Sequence, residues 1–472
     1  MQTHRLMRAL KRLAPLAVAM IAAVPAQGYK LIDGSLDKSD IYPGTRHTYK
    51  ISIPEGYPGD GDAALYLGLD GILCDAPRVI DRLTAAGKMP VTIGVYLQPG
   101  TVSNSRGEVA RWNRSNEFDA TDSTFATFLE RELLPQVART LEQNGVKGKI
   151  SSNPAHRMIF GLSSGGIAAF TAAWHRPDLF GKVMTGCATL VPMRGGHNLQ
   201  AIVRKNEPKP LKIMIQDTYH DTWNPLFGSW YEANRMMASA LQFAGYDMKE
   251  DWTEGVHSVA RSAEIFPAVM EWMWAGSADK DGYARADETI EPGATANNFL
   301  SPVLIPGEGW KRADSTGHAN LSVGAGMRRA YYPDNSLTAY RPADGGNFMW
   351  QALIGDDGKT EECAQRYYWL HTYDNRDVPV GGMAFDGAGN LWTVTGAGLQ
   401  ICDQNGRVRA ILNLPRGINP AETLVAITST TYQGEAAATV TLLDSRMHPL
   451  YTRTLRAAVP EEGVRPKSQG AA

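Results

Sequence analysis

Cysteine is scarce in this chain: Cys74, Cys187, Cys363 and Cys402 are the only four, and they lie far apart. There is no Cys-x-x-Cys pair and no Cys/His cluster, so the ligand spacing of a structural zinc site is missing and no metal or other cofactor is expected. An oxidising compartment would permit disulfides, but spacing does not say whether Cys74 meets Cys187, and all four are read as structural. A basic tract is lacking too. Lys and Arg number 47 against 49 Asp and Glu, which gives no electrostatic reason to expect nucleic acid or an anionic membrane as a partner. Acid is absent from Met1–Arg12, which carries Arg5, Arg8, Lys11 and Arg12 and leads into the apolar run Leu13–Val24 and the small-residue step Val24-Pro25-Ala26. That pattern reads as a secretory signal peptide over residues 1–26, too short and wrongly flanked for a lasting membrane anchor. No cysteine follows the cleavage step, so a lipid anchor is not expected either. The mature protein is expected to be secreted or periplasmic.

At 472 residues the chain is too long for one compact core, and two domains are expected. From about Thr45 to Trp274, short apolar runs alternate with helical patterns, the signature of an α/β sheet. The extended runs are Thr48–Ile53, Ala63–Leu69, Val91–Leu97, Arg157–Phe160, Lys182–Gly186, Leu211–Ile215 and Met248–Trp252. Their nearly continuous apolar content fits strands covered on both faces. Between them, Phe125, Phe128, Leu129 and Leu133 share a helix face before Pro135. Ala168, Ala169, Ala172 and Ala173 form a small-residue helix ending near Pro177, and Met236, Met237 and Leu241 share the face of a helix closed by Gly245. Residues 276–295 read as a linker. Beyond them, residues 296–458 are β-rich, with hairpins at Gly382–Val394, around the Asp-Gly-Ala-Gly-Asn turn, and at Leu399–Leu412. Repeated hairpins of this size resemble propeller blades. Residues 459–472 read as a polar, disordered tail.

The sharpest motif is Gly161-Leu162-Ser163-Ser164-Gly165, directly after one extended run and directly before the alanine-rich helix. A nucleophile elbow requires that context. The strained strand-to-helix turn lifts the serine hydroxyl off the sheet, and the helix N-terminus presents free N–H groups to a developing oxyanion. Serine needs a base, and the base an orienting acid, in the chain order serine, acid, histidine. His257, on the loop Glu254-Gly255-Val256-His257-Ser258 after the last extended run, has the order and the context. Asp217 and Asp221 both come after the run Leu211–Ile215; Asp221 leaves more loop to curl toward the histidine, and Glu254 is a more distant alternative. The second oxyanion donor is expected from Asp70-Gly71-Ile72, so that the N–H of Gly71 or Ile72 pairs with that of Ser164.

These landmarks resemble the enterochelin-esterase and feruloyl-esterase-like branch of the α/β hydrolases, the esterase D group. The matching stretches run from Ile41–Arg46 through Leu69–Gly71, Asn113–Asp119, Gly161–Gly166, Ala173–Asp178 and Arg194–His197 to Gly255–Ser258. The resemblance covers residues 39–275. It implies a doubly wound sheet of the α/β-hydrolase type and metal-free ester hydrolysis through an acyl-enzyme. The implied substrates are acetyl or feruloyl esters of plant polysaccharide, or siderophore-type esters. It also implies that Asp70, Arg111, Arg114, Glu117, Arg194, His197 and Trp230 line the substrate cleft, although an ion-pair network supporting the loop would use Arg111, Arg114 and Glu117 equally well. The chain departs from the group at Asp217-Thr218, where relatives often show Asp-Gly, and at Ser258–Arg261, where many carry a second histidine.

Val380–Pro415 resembles gluconolactonase-type propellers, whose metal-ligating aspartate is replaced here by the step Gly381-Gly382. Six blades of about 40–45 residues do not fit into the stretch beyond the linker, so this part is expected to be a smaller all-β, partial propeller-like domain without catalysis. Two other readings of the whole chain are a carbohydrate-binding exoprotein on a relic hydrolase fold and a metal-dependent lactonase.

Overall fold

The computed structural model describes residues 28–275, 303–314, 325–342, 346–373 and 380–456. The expected leader, linker and tail lie outside the described residues. The first body is a sheet of eight strands: β1 (Tyr29–Leu36), β2 (His47–Pro54), β3 (Ala64–Leu69), β4 (Thr92–Leu97), β7 (Arg157–Leu162), β8 (Lys182–Gly186), β9 (Lys212–His220) and β12 (Asp247–Val256). Their order is β1-β2-β4-β3-β7-β8-β9-β12, parallel from β4 to β12 and antiparallel at β1 and β2. All seven extended runs of the sequence are among them, while β1 has a burial pattern too weak to stand out.

Helices cover both faces, as the unbroken apolar strands require. On one side, α1 (Ala76–Ala85) and α8 (Ala260–Trp274) pack with Tyr66, Tyr96, Phe160 and Met184. On the other lie α2 (Arg114–Phe118), α3 (Thr124–Phe128), α4 (Leu134–Gln143), α5 (Ser164–His175), α6 (Leu199–Lys205) and α7 (Trp230–Ala244). α3 runs into α4 through a π turn at Leu129–Leu133 just ahead of Pro135, and Phe125, Phe128, Leu129 and Leu133 are all buried. In α7, Met237 and Leu241 are buried, but Met236 is 57% exposed and does not belong to the apolar face assigned to it. Two short hairpins stand on the loops: β5 (Thr101–Ser103) with β6 (Val109–Trp112), and β10 (Trp223–Asn224) with β11 (Gly228–Ser229). Among the described residues no helix is long and apolar enough to cross a membrane.

The C-terminal part forms three four-stranded antiparallel sheets. They comprise β14–β17 (Arg329–Tyr331, Leu337–Tyr340, Phe348–Ile354, Glu361–Trp369) and β18–β21 (Val380–Phe385, Leu391–Thr395, Gly398–Cys402, Val408–Leu412), each in chain order. The third joins β13 (Lys311–Arg312) to β24 (Pro449–Leu455), β23 (Glu435–Leu443) and β22 (Leu424–Tyr432). Both hairpins read from the sequence fall within β18–β21. Four-stranded meanders are the unit of a propeller, but three of them do not make its closed ring.

This part is packed against the hydrolase. Helix α5 is apolar almost all the way round and buries every residue from Ser164 to Trp174, so it needs cover on the side away from the sheet. The Trp174 indole donates to the Tyr373 hydroxyl at 3.1 Å, and Thr121 donates to the Tyr373 carbonyl. Beyond α6, Glu207 and Arg453 form a bidentate pair at 2.6 and 2.9 Å with both residues about 2% exposed, and Glu207 also accepts from the Asn413 amide at 3.1 Å. A buried pair of this kind is costly to break because one charge is stranded. Arg453→Met is therefore expected to destabilise the whole protein by about 3–5 kcal/mol, read as an earlier urea midpoint. The double variant with Glu207→Gln should recover part of the loss.

Candidate active site

Because β3, β7, β8, β9 and β12 run parallel, their C-terminal ends open on one edge of the sheet, and each expected catalytic segment comes after one of them. Three non-glycine residues directly after these strands have positive φ: Asp70 after β3 (63°), Ser163 after β7 (59°) and Cys187 after β8 (44°). Ser163 sits at φ 59°, ψ −122°, immediately before α5. Such backbone costs of order 1–3 kcal/mol and persists only where the surroundings impose it. Here the glycines impose it. A Cβ on Gly161 would come 2.0 Å from the Gly165 carbonyl oxygen, and a Cβ on Gly165 would come 2.8 Å from Asp70 Oδ2. The Ser163 N–H donates to Gly186 O at 2.9 Å, while Gly166 N–H and Thr189 N–H donate to Ser163 O. The turn is thus clamped between β8 and the first turn of α5.

The Ser163 hydroxyl lies 3.4 Å from Thr189 Oγ1, which also accepts from the Trp230 indole at 3.3 Å. At the far end of the edge, His257 Nδ1 bonds Asp221 Oδ1, so of the two aspartates left open by the sequence Asp221 is the one in contact with the imidazole. The imidazole is 28% exposed and the Asp221 side chain fully buried. Burial opposes ionisation of Asp221, but the hydrogen bonds to His257 and the Thr222 amide, with the neighbouring Asp217, outweigh it and hold the carboxyl below the usual aspartate range. Glu254 instead pairs with His220 at 3.0 Å, where both side chains are exposed.

In the loop Asp70-Gly71-Ile72, where the second oxyanion donor is expected, one of the two amides is already used. The Gly71 N–H is committed to Leu97 O at 2.9 Å, so of the two amides considered it is that of Ile72 that makes no backbone hydrogen bond among the described residues. Ser164 opens α5, where the first N–H groups of a helix lack intrahelical acceptors. Asp70 is bound twice by Arg114, Nε to Oδ1 at 2.6 Å and Nη2 to Oδ2 at 2.8 Å, which braces this loop beside the elbow.

The expected substrate residues separate into two groups. Glu117 is fully buried, accepting from Asn113 Nδ2 at 2.7 Å and the Gly100 amide at 3.1 Å and lying 3.0 Å from His47 Nε2. It holds the loop from inside and does not face a cleft. Trp230 is 5% exposed and reaches the site only through Thr189. Arg111, Arg194 and His197 are exposed, and Arg194 donates to Asn116 at 3.4 Å. Thr189 and Cys187 carried no signal in the sequence, since neither stands in a motif. The Cys187, Asp221 and His257 ligand atoms lie within 4.8 Å of one another and, among the described residues, are the group that a metal could use. His257 Nδ1 is already engaged by Asp221, and burial together with Asp217 and Asp221 pushes the Cys187 thiol up, away from the thiolate a metal takes. Cys74, Cys187 and Cys402 are buried free thiols and Cys363 an exposed one, so Cys74 and Cys187 are not joined.

The family model described as "Putative esterase" matches residues 42–298, more than half of the chain. No curated protein matches the sequence. Among solved structures, the chain is similar to a ferulic acid esterase at 16% identity, covering 53% of this chain and 99% of that one with a TM-score of 0.40. It is also similar to the enterobactin esterase from Shigella flexneri at 17% identity, covering 52% of this chain and 59% of that one with a TM-score of 0.41. An S-formylglutathione hydrolase from Agrobacterium tumefaciens matches at 12% identity over 53% of this chain and 96% of that one, with a TM-score of 0.37.

Proposed function

The chain belongs to the esterase family whose model spans residues 42–298, and from that premise we propose that it is a serine esterase using Ser163, His257 and Asp221. The observation that carries the reading is the Asp221–His257 pair on the same sheet edge as a serine held at positive φ. Ser163 Oγ attacks the ester carbonyl while His257 Nε2 takes its proton, and Asp221 fixes the tautomer by accepting from Nδ1. The Ile72 and Ser164 amides meet the oxyanion. The alcohol leaves with the proton from His257, and the same imidazole activates the water that releases the acid from the acyl-enzyme. The basic and apolar segment of residues 1–26, read as an export signal, would put this hydrolysis outside the cytoplasm.

The surroundings support an ester carried on a hydroxyl-rich or ring-bearing scaffold. A cleft of about 710 Å³ borders Gly71 and Ile72 and is lined by Thr48, Gln98, Gln136 and Asn144 together with the charged Asp33, Asp37, Arg46 and Lys50, a polar surface suited to hydroxyl groups. The β5–β6 hairpin comes after β4 and the β10–β11 hairpin after β9, so each rises two strands from β7, on opposite sides of Ser163. Each carries one tryptophan, Trp112 and Trp223, that is 71% exposed. A screen of acetyl-xylan, feruloyl-arabinose and catecholate siderophore esters tests the substrate, and turnover of none of them, nor of 4-nitrophenyl acetate, would contradict the esterase. With the polymeric ester, Trp112→Ala and Trp223→Ala are each expected to raise KM roughly tenfold. Turnover of 4-nitrophenyl acetate, too small to reach either ring, should not change.

A further inference from the structure

Asp217 is fully buried near the end of β9, yet it bonds no cation among its described contacts. Its Oδ1 accepts from the Thr218 amide at 2.7 Å, and Asp221 Oδ1 accepts from the Thr222 amide at 2.5 Å and from His257. The remaining oxygen of each carboxyl, Oδ2 in both, is buried without a partner, and the two side chains are near enough to shift each other's ionisation. Two carboxylates cannot bond; a carboxylic acid and a carboxylate can. One added proton satisfies both orphaned oxygens at once, and an unsatisfied buried acceptor is costly enough to demand such an account.

The groups facing Asp217 decide which carboxyl holds that proton. From the end of β8 comes the Cys187 thiol, which donates to the Ser258 carbonyl at 3.9 Å and lies beside Asp217; from β9's own end comes Asp221; and beyond Asp221, after β12, comes His257. Helix α8 contributes Ser262, which is occupied by Gln216 at 2.6 Å. Of these groups, the one able to turn cationic touches Asp221, not Asp217. Like charges this close cannot both be carried in a buried site, so the carboxyl without the imidazole gives way.

We propose that Asp217 is a neutral carboxylic acid that donates from Oδ2 to Oδ2 of Asp221, and so positions the carboxylate that orients His257. Burial and the neighbouring Asp221 push its pKa up to about 9, in keeping with this geometry. Asp217 is then a positioning residue: the chain Asp217, Asp221, His257 supplies the buried acid with an O–H donor beside the Thr222 amide. The role rests on reading Asp221 as the acid of the triad.

Asp217→Asn tests it, because an amide keeps a donor at that place while losing the proton. Its kcat/KM is expected to stay within about threefold of the parent, whereas Asp217→Leu, which strands Asp221 Oδ2, should lose about ten- to a hundredfold in kcat with KM little changed. Stability supplies an arm that needs no ester hydrolysis. Asp217 stays neutral in the fold but ionises in the unfolded chain above about pH 4, so the folded parent holds a proton that unfolding releases and its stability falls as pH rises from about 4 toward 9. The asparagine variant has no such proton, so its Tm advantage over the parent should grow between about pH 5 and about pH 8. An Asp217→Asn activity loss as deep as that of Asp221→Asn, or a Tm difference that stays flat or shrinks over this range, would overturn the proposal. If the variant does not fold, proton uptake by the parent on refolding at about pH 7 decides: close to one proton from this group supports it, and none overturns it. Were no ester ever cleaved, the Tm arm would still stand by itself.

Discussion

Ser163→Ala is expected to lower kcat/KM for 4-nitrophenyl acetate by about four to six orders of magnitude, the loss typical when the nucleophile of such a triad is removed. The fold should survive. The hydroxyl's hydrogen bond to Thr189 Oγ1 is long, at 3.4 Å, so its removal forfeits little. The positive φ at 163 is imposed by Gly161, Gly165 and the bond from Ser163 N–H to Gly186 O, none of which involves the side chain. A change in Tm of no more than about 2 °C, measured beside the lost activity, would separate a chemical defect from an unfolded protein.

Asp221→Asn should cost about ten-thousandfold in kcat with KM nearly unchanged. The size of that loss comes from what the carboxylate does. Asp221 Oδ1 accepts from both the Thr222 amide and His257 Nδ1, which keeps the proton on Nδ1 and leaves Nε2 as the base. An asparagine can turn its NH₂ toward the ring, placing the imidazole proton on Nε2, where it can no longer receive one from Ser163. Substrate binding does not use this side chain, because it is fully buried. Steady-state kinetics of the variant, with kcat and KM resolved separately, measure the effect. A parallel rise in KM would point instead to a displaced loop.

Most of the hydrolase body was legible because its strands are covered twice and therefore unbroken in apolar residues, and because the elbow motif depends on glycines with steric reasons to be there. β1 was not legible: it sits on the sheet edge, with only Ile32 buried and its neighbour Leu31 exposed. The extent of α5 was clear, but its apolar girth has a cause visible only in three dimensions, the cover that Tyr373 helps to provide. The same limit explains Glu117 and Trp230. Both residue types suit a cleft, and only burial shows that one holds a loop and the other touches the site through Thr189. The choice between Asp221 and Asp217 turned on loop reach, which favours Asp221; the neutral state assigned to Asp217 depends on two orphaned oxygens that no spacing reveals. In the C-terminal part, turn chemistry marked the β18–β21 hairpins, whereas the contact of Glu207 with Arg453 spans 246 residues and leaves no local trace.

The central claim is that Ser163 is a nucleophile activated by His257, and covalent labelling tests it most directly. After treatment with a fluorophosphonate, digestion and mass spectrometry of the intact protein's peptides should find one adduct, on the peptide containing Ser163. It should form at least about a hundredfold more slowly in His257→Ala, because the base that activates the hydroxyl is gone. An unlabelled Ser163, or labelling that proceeds equally fast without the histidine, would contradict the account.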